Sequence, residues 1–257
     1  MVLPTYPFQR QRYWLETKSA RIAAAPREAT PTAHPLLGTR LQSPLREIQF
    51  EYHHTADSQP FFSDHRIYGL VVFPATAYME MALAGALEAL GAGPYALRDV
   101  FVHEPLVLPE DEVQTVQLVL TPEGADSASF QIFSLQRSET KQDGSWKLHA
   151  TGSVHLTTCA SVPVSIEHLQ AGCRDEVPVA AFYQQLRETG LEYGPAFRGI
   201  ERLWCGEEES LGSIRLPDAL SGAEGYLLHP ALLDACLQVF AAIFFNEGRL
   251  TVSEGVY

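Results

Sequence analysis

Two long apolar segments constrain the fold of this chain more than any other feature. Residues 74–90 and 230–245 each begin at a proline and carry apolar side chains around almost the whole helical circumference. A helix that is apolar on every side is buried on every side, and proline is tolerated at a helix start because its missing N–H needs no partner there. Strand-like segments follow the first helix, so the sequence predicts an antiparallel sheet wrapped around a central helix.

The same order, extended segments followed by a proline-started helix, occurs twice and forms a weak internal repeat. Aligning Pro74 with Pro230 places Tyr78 over Asp234. Two such units are expected to pack together and to form a site between them. Only "GRLTVSEGVY" follows the second helix, so we expect the second unit to lack strands and to expose apolar surface around Phe240–Phe245.

The composition also divides the chain. Residues 1–33 interleave prolines, aromatic residues and arginines and then become rich in Ala, Pro and Thr. From composition alone a loose tail is the simplest interpretation, and a linker with extended backbone at its prolines is the alternative that we adopt. Residues 34–157 then form the first unit, and residues 158–178 are expected to be an irregular linker. Residues 179–257 form the second, incomplete unit.

Charge and composition exclude several classes of protein. The formal net charge is −13 at pH 7, which argues against a nucleic acid as the main partner because phosphates require a basic face. No apolar run approaches the ~18 residues of a membrane helix, and the N-terminus lacks the apolar region of a signal peptide. The four cysteines show no CxxC or zinc spacing. We therefore expect a cytoplasmic protein with free thiols and no bound metal.

The first candidate site residue is His65, which precedes an apolar segment with Gly69 and Pro74 further on. A lone histidine in such a place is more often a hydrogen-bonded structural residue than a catalyst. A glycine in a strand, however, lets a ligand approach the backbone. The helix start at Pro74 also offers free N–H groups and a positive dipole end, which stabilise negative charge on a carbonyl oxygen.

The second candidate is Asp234, which we place in the first turn of the second helix among apolar neighbours. The simplest interpretation is a carboxylate favoured by the helix dipole. Gln238 lies four residues on, on the same helix face, where its amide can orient the carboxyl group. Burial raises the pKa of such a group and the dipole lowers it, and the sequence leaves the balance open.

The "YGPAF" segment, with Tyr193 and Gly194, predicts a tight turn that anchors Phe197 in the core. Other histidines have no spacing typical of a metal site and are interpreted as strand or surface residues: His53, His54, His103 and His149.

Taken together, these motifs resemble the dehydratase domain of modular type I polyketide synthases. His65, Gly69 and Pro74 match the HxxxGxxxxP motif of that family, and Asp234 with Gln238 matches its DxxxQ motif. The "YGPAF" segment matches its YGPxF motif, and "HPLLG" resembles the usual start of the domain. The N-terminal linker is similar to the segment that follows an acyltransferase domain.

The resemblance implies an α+β double hotdog fold, in which two antiparallel sheets each wrap a central helix, with the second hotdog truncated. The implied reaction removes water from a β-hydroxyacyl chain on an acyl carrier protein and gives the α,β-enoyl thioester. His65 would act as general base at the α carbon, and Asp234 would donate a proton to the departing hydroxyl. The implied substrate-orienting residues are Gln238, Tyr193, Gly69, Pro74 and Gly194.

The resemblance further implies that no cofactor or metal is needed, because the substrate arrives on the phosphopantetheine arm of the carrier protein. The implied partners are the acyl carrier protein, neighbouring acyltransferase and ketoreductase domains, and a second copy in a homodimer. Two alternatives stay open at this point: a non-catalytic, dehydratase-like structural domain, and a related double-hotdog isomerase or cyclase. A free-standing hotdog thioesterase fits poorly, because His65 and Asp234 lie in two unlike halves.

Overall fold

The computed structural model describes residues 30–110, 112–138, 141–158, 164–220 and 224–246. Most of the predicted N-terminal linker lies outside these residues, and so does the segment that follows the second apolar helix. The predictions made for those two segments therefore stay predictions.

Both predicted central helices are present among four α-helices and thirteen strands in the described part of the chain. The helices are α1 (Ala75–Leu90), α2 (Ile166–Gly172), α3 (Val179–Glu188) and α4 (Pro230–Asn246). The strands are β1 (Thr30–Pro31), β2 (Thr39–Leu41), β3 (Ile48–His54), β4 (His65–Ile67), β5 (Leu70–Val71), β6 (Tyr95–Val102), β7 (Gln114–Pro122), β8 (Ser127–Ser138), β9 (Lys141–Leu156), β10 (Asp175–Val177), β11 (Leu191–Tyr193), β12 (Ile200–Cys205) and β13 (Ser210–Ile214).

In the first half, a seven-stranded antiparallel sheet covers α1. Its strand order is β1-β2-β3-β7-β8-β9-β6, and α1 packs against β6, β7, β8 and β9. The helix buries Ala77, Tyr78 and Met81 in the same core as Phe50 and Phe130 of the sheet. This arrangement confirms the prediction of a sheet wrapped around an apolar helix.

In the second half, α3 and α4 pack against a smaller sheet of order β10-β12-β13. The core between them contains Phe182, Leu203 and Ala235. The apolar face of α4 that points away from this sheet is exposed at Leu237, Phe240 and Phe244. The expected exposure of apolar surface on this helix is therefore confirmed for the side chains that the structure describes.

The sequence analysis predicted an irregular linker from 158 to 178, and this prediction is wrong for part of the segment. It contains α2, whose N-terminus is capped by the Ser165 side chain accepting a hydrogen bond from the His168 N–H. It also contains β10, which pairs with β12 at Asp175 to Cys205. The pairing joins residues 30 positions apart, so a local pattern of polar residues gave no sign of it.

A third sheet joins the two halves. The hairpin β4-β5 of the first half pairs with β11 of the second half in the order β11-β4-β5, and α1 packs against α4. The hairpin and α4 therefore both lie at the junction of the two halves. Among the described residues, no helix is both long and apolar enough to span a bilayer.

Candidate active site

His65 is the first residue of β4 and is buried, with 8% of its surface exposed. Its hairpin closes through Tyr68 and Gly69, which have φ angles of 49° and 78°. Two successive positive φ angles define the primed turn that suits a two-residue hairpin, and glycine adopts them without strain. The hairpin holds His65 rigidly at the junction of the two halves.

The backbone fixes which nitrogen of His65 carries its proton in the neutral ring. The Nδ1 atom lies 2.8 Å from the Val72 carbonyl oxygen, and a carbonyl oxygen only accepts hydrogen bonds. Nδ1 therefore carries the hydrogen, and Nε2 keeps a free lone pair. The neutral imidazole is set up as a proton acceptor at Nε2.

Tyr193 of β11 lies directly opposite His65 of β4 in the strand register. The two ring centroids are 5.6 Å apart in an edge-to-face arrangement. Burial, and the nearby Asp234 carboxyl group, raise the pKa of Tyr193, so its hydroxyl stays protonated. The hydroxyl has no hydrogen-bond partner in the described part of the chain and is available to a ligand.

Gly194 is required by the close approach of Asp64. A Cβ atom on Gly194 would lie 2.3 Å from the Asp64 carboxyl carbon. The Gly194 N–H donates to the Asp64 carbonyl oxygen at 2.7 Å, and the Asp64 Oδ2 accepts from the Ala196 N–H at 2.8 Å. These contacts hold the "YGPAF" turn against the residue that precedes His65, and the sequence analysis had not singled out Asp64.

Phe197 ends this turn and contacts both halves of the site. Its buried ring lies 5.0 Å from the His65 ring, as expected for an anchored aromatic residue. Its carbonyl oxygen accepts a hydrogen bond from the Gln238 Nε2 at 3.1 Å. The turn therefore limits the movement of His65 and Gln238 together.

Asp234 lies one position beyond the first turn of α4, because the helix begins at Pro230. The predicted place in the first turn is corrected accordingly, and the influence of the helix dipole on the carboxyl group is weaker there. Asp234 is only 7% exposed. Burial raises its pKa, while a charged His65 and a hydrogen bond from Gln238 lower it less. The balance that the sequence left open is decided by burial, which favours the neutral acid.

Three hydrogen bonds fix the Gln238 amide. Its Nε2 donates to the Asp234 Oδ2 at 2.8 Å and to the Phe197 carbonyl oxygen. Its Oε1 accepts from the Tyr183 hydroxyl at 3.0 Å. Because both ends of the amide are engaged, Gln238 presents its N–H to Asp234 in one orientation only.

Tyr183 is a residue of the candidate site that the sequence does not single out. It lies on α3, and burial raises its pKa to about 12, so it remains an O–H donor at neutral pH. It is 55 positions from Gln238 in the chain. The only local signal is one buried tyrosine on an amphipathic helix, and that pattern is as typical of a core residue.

The structure brings together most of the predicted site residues, but two of them lie away from the Asp234 carboxyl group. His65, Tyr193, Gly194, Asp234 and Gln238 meet at the junction of the halves. Two others lie elsewhere: Gly69 is in the exposed hairpin turn, with nothing near its Cβ position, and Pro74 caps α1. The roles predicted for these two residues in binding substrate stay predictions.

The other histidines have structural positions. His149 donates from Nδ1 to the Glu104 carbonyl oxygen and accepts from the Ser134 hydroxyl at Nε2. His54 is buried among aromatic rings, and burial lowers its pKa to about 3. No three potential metal ligands cluster within the described ranges of the chain.

A cavity of about 220 Å³ opens beside the site. Tyr183, Tyr193 and three arginines contribute to its lining: Arg66, Arg187 and Arg198. The Arg198 Nε donates to the Tyr193 carbonyl oxygen at 2.9 Å, and its guanidinium carbon lies 5.4 Å from the centre of the Tyr183 ring. The lining of this cavity therefore combines three arginines with two carboxyl groups, those of Asp64 and Glu192.

A buried histidine and a buried carboxyl group thus lie at the junction of two sheet-and-helix units, and comparison with known proteins assigns the chain to a family. A model of the polyketide synthase dehydratase domain matches residues 34–135, and a model described as the polyketide synthase dehydratase N-terminal domain matches residues 161–254. Among solved structures, the dehydratase domain from the CurK module of curacin polyketide synthase is 37% identical, with a TM-score of 0.76. That match covers 84% of this chain and 77% of the other.

A second solved structure, the dehydratase domain from the CurF module, is 33% identical with a TM-score of 0.76 and covers 82% of this chain and 76% of that one. The spectinabilin polyketide synthase system protein NorA' of Streptomyces orinoci is 32% identical over 91% of this chain. The matched region is only 6% of the length of NorA'. The chain thus corresponds to one small part of a very large relative.

The chain belongs to the polyketide synthase dehydratase domain family. This assignment confirms the predicted α+β double hotdog fold, the enzyme class of hydro-lyase, and the general reaction. That reaction is the dehydration of β-hydroxyacyl intermediates.

Proposed function

We propose that this domain removes water from a β-hydroxyacyl thioester by the joint action of His65 as base and Asp234 as acid. One observation carries the proposal: a buried imidazole with a free Nε2 and a buried carboxyl group with a raised pKa meet at the same junction. Each group is held by a hydrogen bond that sets its orientation. General acid–base catalysis requires this combination of protonation states.

The proton steps balance without any further reagent. The His65 Nε2 takes the proton from the α carbon, and the electron pair of that bond forms the carbon–carbon double bond. The carbon–oxygen bond at the β position breaks as Asp234 gives its proton to the departing hydroxyl, which leaves as water. Transfer of the proton from His65 to the Asp234 carboxylate then restores the starting state.

The electrostatic coupling between the two residues supports this order of events. A positive charge on His65 lowers the pKa of Asp234. Asp234 therefore becomes a better proton donor as His65 gains the substrate proton. Exclusion of water from the buried site strengthens this effect, because charges interact more strongly at low dielectric.

The remaining predicted residues orient the reactants in this proposal. Gln238 orients the carboxyl group of Asp234, and the free hydroxyl of Tyr193, with Gly194 beside it, faces the hydroxyl that leaves. Backbone N–H groups near Gly69 and at the start of α1 after Pro74 bind the thioester oxygen, where the positive end of the helix dipole stabilises developing charge.

We also propose that the substrate enters on the phosphopantetheine arm of an acyl carrier protein. The three arginines of the cavity beside Tyr183 and Tyr193, which outnumber its two carboxyl groups, support this route because guanidinium groups bind phosphate well. Acyltransferase and ketoreductase domains are the proposed neighbours, and the size of the relatives supports a multidomain setting. A homodimer, a cytoplasmic location and a reaction without a cofactor complete the proposal.

A mass-spectrometric dehydration assay tests the proposed function. The domain, in the polypeptide in which it naturally occurs, is given β-hydroxyacyl thioesters of both hydroxyl configurations on a carrier protein. With the wild type we expect the substrate to lose about 18 mass units, the mass of one water molecule. With His65→Ala or Asp234→Asn we expect no such loss. An isomerised or cyclised product, or no reaction by a folded protein, would contradict the proposal.

A further inference from the structure

Glu80 is a completely buried side chain on α1 that the reaction does not use directly. It accepts three hydrogen bonds from outside its own helix. The His34 Nε2 lies 2.9 Å from Oε1, the Leu227 N–H donates to Oε1 at 2.6 Å, and the Leu228 N–H donates to Oε2 at 3.0 Å. One carboxyl group thus joins the start of the domain, the first central helix and the segment that leads into α4.

The His34 ring is oriented to donate to Glu80. Its Nδ1 accepts a hydrogen bond from the Leu36 N–H at 3.2 Å, so the hydrogen of the neutral ring lies on Nε2. All three partners of Glu80 are therefore donors. A carboxyl group with two acceptor oxygens fits this environment, whereas an amide would direct its own N–H groups at one of the donors.

Further contacts hold the segment before α4 against the first half. The Tyr226 hydroxyl donates to the Gln59 Oε1 at 2.8 Å. The Tyr226 ring packs edge-on against His34, with the ring centres 5.7 Å apart. The segment is therefore attached to the first half by several contacts, which include the ring of Phe61 packed edge-on against His229 at 4.9 Å. Glu80 supplies the two backbone hydrogen bonds among them, at Leu227 and Leu228.

The attachment continues into the helix that carries Asp234. His229 follows Leu228, and its Nδ1 accepts a hydrogen bond from the Ala231 N–H at 3.2 Å. Its carbonyl oxygen accepts from the N–H groups of Leu232 and Leu233. Burial lowers the pKa of His229 to about 4, which keeps the ring neutral and able to cap α4 at neutral pH.

We propose that Glu80 is a positioning residue for the dehydration, because it holds the start of α4, and hence Asp234, at a fixed distance from His65. This inference rests on the proposed function. Displacing a catalytic group by about 1 Å can lower a rate about a hundredfold. The residue acts through Asp234 and does not touch the substrate.

The first test compares two leaving groups in the Glu80→Gln variant. A β-fluoroacyl thioester gives the same enoyl product when His65 takes the α proton and fluoride leaves with its electron pair, and this loss depends less on a proton donor. Glu80→Gln is expected to lower kcat about a hundredfold on the β-hydroxy substrate, with a much smaller loss on the β-fluoro substrate. Equal losses on both substrates, or no loss on either, would overturn the inference.

Three variants calibrate this comparison. Asp234→Asn should show the same dependence on the leaving group, and His65→Ala should lose activity on both substrates. Glu88→Gln makes the same substitution at an exposed position of α1 and should match the wild type. If Glu80→Gln does not fold, His34→Ala removes one of the three donors and should show the same pattern with a smaller loss.

The second test does not depend on activity. Hydrogen exchange of the Leu227 and Leu228 amides, followed by mass spectrometry or NMR, should accelerate in Glu80→Gln and stay unchanged in Glu88→Gln. Unchanged exchange in Glu80→Gln would overturn the inference. A wild type that fails to dehydrate its substrate would instead contradict the proposed function, so the two failures can be told apart.

Discussion

The two central helices each bury a carboxyl group, and the two groups have different surroundings. Glu80 on α1 accepts three hydrogen bonds from His34, Leu227 and Leu228. Asp234 on α4 accepts one, from Gln238, among the described residues. A buried carboxylate is stabilised by the number of donors that it receives, so the sparsely bonded Asp234 favours its neutral form. The comparison separates a carboxyl group that holds the fold from one that is suited to give up a proton.

The same helices differ in how completely they are covered. The seven-stranded sheet encloses α1, whereas α4 faces three strands and exposes apolar side chains at Leu237, Phe240 and Phe244. Similar sequence patterns therefore produce one helix with most of its side chains in a core and another with several large apolar side chains exposed, among the residues that the structure describes. The apolar residues around a helix show which of its side chains can be buried. The strands that pack against the helix determine which of them are buried.

The largest expected effect comes from removing either reacting group. His65→Ala and Asp234→Asn should each lower the dehydration rate by about 10²- to 10⁴-fold, the usual contribution of a general acid or base. Single-turnover assays on a β-hydroxyacyl thioester measure this loss directly. A variant that keeps more than half of the wild-type rate would remove its residue from the proposed mechanism.

The next effect sharpens the contrast between the coverage of the two helices. Met81→Ala removes a side chain that is 1% exposed on α1 and should cost about 2–5 kcal/mol in the free energy of unfolding. Phe240→Ala removes a side chain that is 61% exposed on α4 and should change stability by less than about 0.5 kcal/mol. Urea denaturation measures both, and equal losses would show that the face of α4 is covered in solution.

A smaller effect is expected from removing the Tyr183 hydroxyl, which fixes the orientation of the Gln238 amide. Tyr183→Phe keeps the ring and removes the hydroxyl that donates to the Gln238 Oε1. Because the loss of one positioning hydrogen bond costs about 1 kcal/mol, we expect kcat to fall by about fivefold to tenfold. Steady-state kinetics should show the change in kcat with little change in KM. A rise in KM alone would show that the hydroxyl binds substrate instead.

The smallest effect is the pH dependence of stability. Because burial raises the pKa of Asp234 above its unfolded value, the group contributes stability that is fully present below the unfolded pKa of about 3.9. That contribution is lost as the pH rises through the raised value. The free energy of unfolding of the wild type should therefore fall relative to that of Asp234→Asn, by at most about 1.4 kcal/mol per pH unit. A wild type that becomes more stable relative to Asp234→Asn as the pH rises would contradict this prediction.

Much of the site was predictable because its motifs are local in sequence. The spacing of His65, Gly69 and Pro74 on one segment, and of Asp234 and Gln238 on another, is visible without a structure. The two apolar helices were predictable for the same reason, since their burial follows from their own residues.

The parts that could not be predicted depend on contacts between distant segments. Tyr183 orients Gln238 from another helix, and Glu80 binds residues 147 and 148 positions away. The residues of strand β10 are mostly polar and do not by themselves predict a strand, which is defined by its pairing with β12. The direction of the pKa shift of Asp234 could not be decided either, because the burial of its side chain and its position in α4 depend on the whole fold.

The most direct test of this account is a carbon-13 NMR titration of the Asp234 carboxyl group, assigned by its disappearance in Asp234→Asn. We expect a pKa above the ordinary value for aspartate, because burial outweighs the effects of His65 and Gln238. A pKa at or below the ordinary value of about 3.9 would contradict the role of Asp234 as the proton donor.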